Sequence, residues 1–108
     1  MTSERERMLA GELYRAFDPE LLAARARARE VITRYNDAPN ISVLEGLFER
    51  LGANAVIEPP FHCDYGSNIS IGDRAVIGAG SVVTKDVAAG VVAAGNPCRP
   101  IRELEAVR

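Results

Sequence analysis

The chain has 108 residues, is 47% hydrophobic, and sets 13 basic against 15 acidic residues for a net charge of -2. That length supports one compact domain or two small interdependent lobes, and the interspersed charges make no one-signed field for nucleic acid or a membrane surface. One histidine, His62, and two isolated cysteines, Cys63 and Cys98, exclude a multi-histidine metal centre, a paired-cysteine zinc site and a disulfide framework.

Both thiols read as small, buried or partly buried apolar residues. The start, Met1 to Arg7, is charged and polar, and no apolar run approaches the length of a membrane span, which predicts a cytoplasmic protein. Ser3 with Glu6 is a capping-box pattern, so a short helix is predicted to carry Met8, Leu9, Leu13 and Tyr14 toward a partner surface, weakened by Gly11. Asp18 followed by Pro19 is a helix start, and Leu21, Leu22, Arg25, Ala28, Val31, Ile32 and Tyr35 then fall at helical spacing. Arg25, Arg27 and Arg29 diverge around that helix and read as a solvated face beside Glu30.

Asn36, Asp37, Pro39 and Asn40 supply a break. Ser42 with Glu45 repeats the capping pattern, and the stripe Leu44, Leu47, Phe48, Leu51 ends at Gly52, a natural left-handed terminator; a third short helix is predicted there. Beyond Val56, Ile57, Pro59 and Pro60 the composition changes. That change divides the chain into a helical lobe, 1–58, and a second lobe, 59–108.

In the second lobe Tyr65, Ile71, Ile77 and Val83 recur every six residues, with Gly66, Gly72 and Gly78 one step behind. A second register, Ile69, Ala75, Ser81 and Val87, runs four places behind the first. A six-residue period predicts a parallel β-helix with apolar residues inside, glycines at corners and Asp73, Arg74, Lys85 and Asp86 outside. About four such units make roughly one and a third turns, fewer than the three or more units that stacked repeats usually need. Strand edges left open at both ends call for cover by the helical lobe, the C-terminal tail or another chain. Ala88 to Pro97 reads as a small-residue strand, a turn and a proline stop, and Ile101 to Arg108 as a short helix or a frayed tail.

Met8-Leu9-Ala10-Gly11-Glu12-Leu13-Tyr14, Arg27-Ala28, Tyr35-Asn36, Glu58-Pro59-Pro60-Phe61 and Asp64-Tyr65-Gly66-Ser67-Asn68-Ile69 resemble the front of the maltose, galactoside and nodulation-factor O-acetyltransferases. Ile77 to Val87 and Ala94-Gly95-Asn96-Pro97-Cys98-Arg99 resemble the last coil and exit of the same family. The resemblance implies a mixed α and β fold: an N-terminal helical lobe followed by a very short left-handed parallel β-helix. It implies acetyl-CoA as co-substrate, a small-molecule sugar acceptor, and a homotrimer with no nucleic-acid or membrane partner.

By the same resemblance, Ala79, Ser81 and Thr84 would border the pantetheine arm, and Lys85, Arg99 and Arg102 would approach the phosphates, where cations make charge-assisted hydrogen bonds. Read without the family, Ser81 and Thr84 are polar repeat corners and the basic residues are solvated surface. Asp64 matches a position that contacts the sugar; it is equally a turn residue before Tyr65-Gly66. Family members carry several further coils between the two blocks, one of them bearing a His-Pro loop whose histidine is the base. Here the blocks join at Ile71-Gly72-Asp73 with the six-residue phase unbroken, as an in-frame internal deletion would leave them. His62 stands where relatives have an aromatic or polar residue, so it reads as structural, not as a substitute base, and activity is expected to be weak or absent. The alternatives are a non-catalytic oligomerising or scaffold module and a deletion remnant.

Overall fold

A computed structural model describes residues 2–104. Helix α1 spans Glu4–Leu9, and the Ser3 side chain accepts from the Glu6 amide at 3.0 Å, as its spacing predicts. It stops early. Gly11, at φ +76°, takes the left-handed conformation, and Glu12 N–H donates to the Arg7 carbonyl, closing the helix end. Leu13 and Tyr14 therefore lie beyond the helix, with Leu13 96% exposed, instead of packing along it as predicted. Helix α2, Pro19–Asp37, matches expectation: the Asp18 carboxylate accepts from the Glu20 amide, and Leu21, Ala28, Ile32 and Tyr35 are buried.

The predicted third helix is replaced by a single 3₁₀ turn, Ile41–Leu44. Asn40, not Ser42, caps it, its side-chain oxygen accepting from the Ser42 amide at 3.1 Å. The apolar stripe still reaches the core, since Leu44, Leu47 and Phe48 are buried. Leu51 is drawn off into an extended strand opposite Ile71, which no helix through Leu47 could reach. Gly52 is not left-handed, as that prediction required; it is needed because a Cβ there would stand 2.4 Å from the Asp73 amide nitrogen.

Among the described residues eight strands follow: β1 Arg50–Leu51, β2 Val56–Ile57, β3 Phe61–His62, β4 Ser70–Ile71, β5 Val76–Ile77, β6 Ser81–Val82, β7 Val91–Ala94 and β8 Arg99–Glu103. They form three narrow sheets, β1-β4, β2-β5-β7-β8 and β3-β6, every pair parallel except the last, β7 with β8. Leu51, Ile57 and Cys63 lie one turn below Ile71, Ile77 and Val83, and Val87 and Ala93 begin a third turn through the bridge from Ile71 to Val87. Ile57, Cys63, Ile71, Ile77, Val83, Val87 and Ala93 meet in one buried cluster. The stack thus holds nearly three turns, where the six-residue repeat alone suggested one and a third. Parallel pairing starts at Arg50, and residue 58 falls between β2 and β3.

Both registers of the repeat point inward from Ile69 onward. Tyr65 does not. The step from Cys63 to Ile71 is two residues longer than the repeat, and Tyr65 turns out of the stack, where its hydroxyl accepts from Arg25 Nη1 at 2.6 Å. Asp73 and Asp86 face outward as predicted and staple the corners: Asp73 Oδ1 accepts from the Ala53 amide at 2.8 Å, and Asp86 Oδ1 from the Ser70 amide at 2.8 Å.

Each end of the stack is covered by the chain itself. At the first turn, Tyr35 of α2 donates its hydroxyl proton to the Ile57 carbonyl at 2.5 Å. Asn36 binds both backbone groups of Phe61 at 3.1 Å, donating from Nδ2 to the carbonyl and accepting the amide on Oδ1. At the last turn, β8 folds back antiparallel on β7. Residues 99–103 are accordingly a strand, neither the helix nor the frayed tail expected from Ile101 onward; 105–108 lie outside the described residues.

Candidate functional site

The corner after β3 and the corner after β6 carry the polar residues of one cleft. Asp64, Tyr65 and Asn68 come from the lower corner, Val82 from β6 and Thr84 from the corner after it, and Met8 and Leu9 of α1 also line the cleft. The cleft encloses about 270 Å³. It offers carboxylate, amide and hydroxyl groups, a donor and acceptor set suited to a hydroxylated ligand, together with the apolar Met8 and Leu9.

Of the residues singled out from sequence, Asp64 and Thr84 are brought together here, and both are exposed. Ala79 is exposed on the turn before β6, where Gly80 takes φ +79°. Ser81 is fully buried: its hydroxyl donates to the Gly78 carbonyl at 2.5 Å and accepts from the Gly95 amide at 3.3 Å, so the side chain is engaged inside the stack. Lys85 is exposed on the corner before Val87, and Arg99 and Arg102 are exposed on β8, in register with Ala94 and Val92. None of the three makes an ion pair among the described residues.

His62 does not line the cleft, but it is not isolated. Its Nε2 lies 3.7 Å from Asp64 Oδ1, beyond hydrogen-bond distance yet within reach of a small rotation. The signal was available in the sequence, since Asp64 stands two residues after His62 and alternate residues of an extended segment share a face. Arg25 was also misread as solvated surface. It donates to Tyr65 Oη and, through Nη2, to the Ala16 carbonyl at 2.5 Å, and its guanidinium sits 5.6 Å from the Tyr65 ring centre. Arg27 likewise donates to the Gly46 carbonyl at 2.9 Å. Alternate positions do diverge around a helix, but long side chains from both can still reach loops on either side.

Neither cysteine is paired. Burial, with a smaller push from the Asp64 charge, raises the Cys63 thiol to about 12; burial raises Cys98 too, partly offset by a hydrogen bond with Ser81. Only the thiolate alkylates, and at pH 8 a thiol titrating near 12 is ~10⁻⁴ ionised. Iodoacetamide on the folded protein is expected to modify Cys98 at least tenfold faster than Cys63, read by peptide mass spectrometry; equal rates would contradict the buried placement of Cys63. Among the described residues no group of three His, Cys, Asp or Glu could hold a metal ion, and no helix is long and apolar enough to cross a membrane.

Residues 7–52 match the maltose acetyltransferase hexapeptide capping motif. Nodulation protein L of Rhizobium leguminosarum bv. viciae is 45% identical over an alignment covering 94% of this chain and 56% of that protein. Among solved structures, a maltose O-acetyltransferase from Clostridium difficile 630 superposes with a TM-score of 0.59 at 24% identity, covering 96% of this chain and 98% of the other. A galactoside acetyltransferase in complex with coenzyme A gives 0.57 at 24% identity, covering 97% and 92%. The chain spans a little over half the length of the curated relatives it matches. The capping motif over residues 7–52, the six-residue parallel stack and these likenesses agree: the chain is similar to hexapeptide-repeat acetyltransferases of the maltose, galactoside and nodulation group.

Proposed function

We propose that the chain descends from an acetyl-CoA-dependent O-acetyltransferase of sugars and has weak or absent turnover, its acceptor contact at Asp64 and its pantetheine contacts at Ala79 and Thr84 surviving, with Ser81 contributing backbone only. Lys85, Arg99 and Arg102 serve the phosphates in this reading. The stack winds left-handed, a homotrimer forms in the cytoplasm, and an internal deletion accounts for the short chain. Two findings support the deletion: the sequence match spans little more than half of the curated relatives, while the superposition on the Clostridium difficile enzyme runs along nearly all of both chains.

The position of His62 carries the loss of turnover. It is the chain's only histidine, and it lies on β3 beside Asp64 without lining the cleft. A general base must reach the proton it takes, and losing one costs ~10²- to 10⁴-fold in rate. Free-thiol release from acetyl-CoA, measured on the purified trimer with maltose and galactosides as acceptors, is expected to be at or near the uncatalysed rate and unchanged by His62→Ala. Brisk turnover that His62→Ala abolishes would overturn the proposal, and light scattering that finds a folded monomer would remove its trimer.

A further inference from the structure

We infer that β8 is a stop: it ends the stack in an edge that a second copy of the chain cannot extend. At β6 the last turn's pairing groups are already taken, since the Val82 amide donates to the Gly95 carbonyl at 2.9 Å and the Val82 carbonyl accepts from the Cys98 amide at 2.8 Å. β8 is different. It closes the four-stranded sheet, pairs among the described residues with β7 alone, and exposes all five of its residues. An open strand edge of this kind is a template for pairing with another chain.

The outward groups of β8 follow from the pairing of β7. In a strand the amide and carbonyl of one residue point to the same side, and those of the next residue to the other. The Ala93 carbonyl accepts from the Gly78 amide at 2.9 Å, toward β5, so Ala93 turns away from β8 and its partner Pro100 points its nitrogen and carbonyl outward. The Leu104 amide donates to the Gly90 carbonyl at 2.7 Å, so Leu104 faces β7 and Glu103, one residue earlier, faces outward. Three features meet on this edge. Pro100 has no N–H to offer, and because its nitrogen points outward no bond to β7 is lost. Ile101 is an extra residue, since Val92 stands opposite Arg102 and Ala93 opposite Pro100, and such a bulge breaks the spacing an incoming strand needs. Arg102 Nη1 stands 3.5 Å from the Glu103 carbonyl, across the acceptor at the other outward position. Of the outward pair Pro100 and Glu103, only Glu103 keeps a donor.

Hydrogen exchange on the full chain reads the edge directly. Each rate being divided by its free-peptide value, the Glu103 amide is expected to exchange at least about tenfold faster than the Arg102 amide, which faces β7. A Glu103 amide as protected as Arg102 would mean that the edge is already covered, and would overturn the inference. Sedimentation then tests the stop itself. Pro100→Val combined with Arg102→Thr and deletion of Ile101 removes all three features, and antiparallel pairing of β8 with its copy closes about a two-fold axis. The mass of this variant is expected to become about twice that of the parent as concentration rises, reversibly, with the Glu103 amide gaining protection only when it does. Pro100→Val alone restores one donor and leaves the pairing to β7 intact, so it decides the question where the triple change does not fold. Its doubling is expected at about tenfold higher concentration, the effect of roughly one hydrogen bond. Parent mass at every concentration in a folded variant of either kind overturns the inference, and so does a larger mass with the Glu103 amide still unprotected.

Discussion

Gly72→Ala is expected to lower the melting temperature of the chain by about 12–24 °C. Gly72 closes the corner after β4, where its amide donates to the Val87 carbonyl of the next turn at 2.8 Å. A Cβ at this position would lie 2.3 Å from the Ala89 amide nitrogen and 2.6 Å from its Cα. Both obstacles are backbone, so no rotamer change can make room. The second turn must move away from the third, stretching the hydrogen bonds of the β4 and β5 columns that hold Val87, Val92 and Ala93 in register. Overpacking against fixed backbone costs about 3 kcal/mol, a large share of the ~5–15 kcal/mol that a domain of this size has in total. Gly46→Ala is the control: its Cβ would meet nothing within 4 Å, and a shift of less than about 3 °C is expected. A Gly72→Ala melting curve that coincides with the Gly46→Ala curve would show that the turns are not in close contact at this corner.

The corner glycines also explain which parts of the fold were legible from sequence. Ile71-Gly72 and Ile77-Gly78 were read correctly because apolar residue and glycine repeat at one spacing. Leu51-Gly52, Ile57 and Cys63 carry that same spacing one turn earlier, but Leu44, Leu47, Phe48 and Leu51 also satisfy a helical period, and the helical reading of Gly52 hid the strand. Strands of two residues are too short for alternation to declare itself, so only the stacking partner decides between the two periods. Tyr65 erred in the opposite direction: it keeps the six-residue phase counted back from Ile71, yet the corner holds two extra residues and Cys63 takes the inward place. Capped helices fared better, because Ser3 and Asp18 act on amides two or three residues away and need no tertiary partner. At the site, Asp64 and Thr84 were named separately, and nothing in a linear pattern states that they face one cleft. The register of β3 on β6 makes that statement, and it depends on the turn that the sequence reading did not see.

Asn36→Ala is expected to destabilise the chain by about 2–4 kcal/mol, because it removes the cover from the first turn's open edge. β3 pairs on one side only, with β6, and its outer amide and carbonyl at Phe61 have no strand to meet. The Asn36 carboxamide supplies both missing partners in the geometry a neighbouring strand would, and Tyr35 does the same for the Ile57 carbonyl. Each buried backbone group left unsatisfied costs roughly 1–3 kcal/mol, and Asn36→Ala orphans two of them. Phe61 packs edge-on against the Tyr35 ring, centroids 5.6 Å apart, so loosening the edge also loosens α2. Tyr35→Phe keeps that ring and deletes a single hydrogen bond, and a loss of about 1 kcal/mol is expected. Asn36→Asp keeps the acceptor for the Phe61 amide but sets a carboxylate against the Phe61 carbonyl, and it is expected to recover less than half of the Asn36→Ala loss. Hydrogen exchange at the Phe61 amide separates an edge-capping role from mere helix propensity. Its protection is expected to collapse in Asn36→Ala and to persist in Tyr35→Phe. Full protection in Asn36→Ala would mean that something other than α2 covers β3. If the collapse is seen, the exposed edge becomes a site for strand addition, and Asn36→Ala is expected to scatter more light with rising concentration than the parent chain. A chain with fewer than three turns has few interior hydrogen bonds to spare, so its stability rests on the two covers at its ends as much as on the repeat between them.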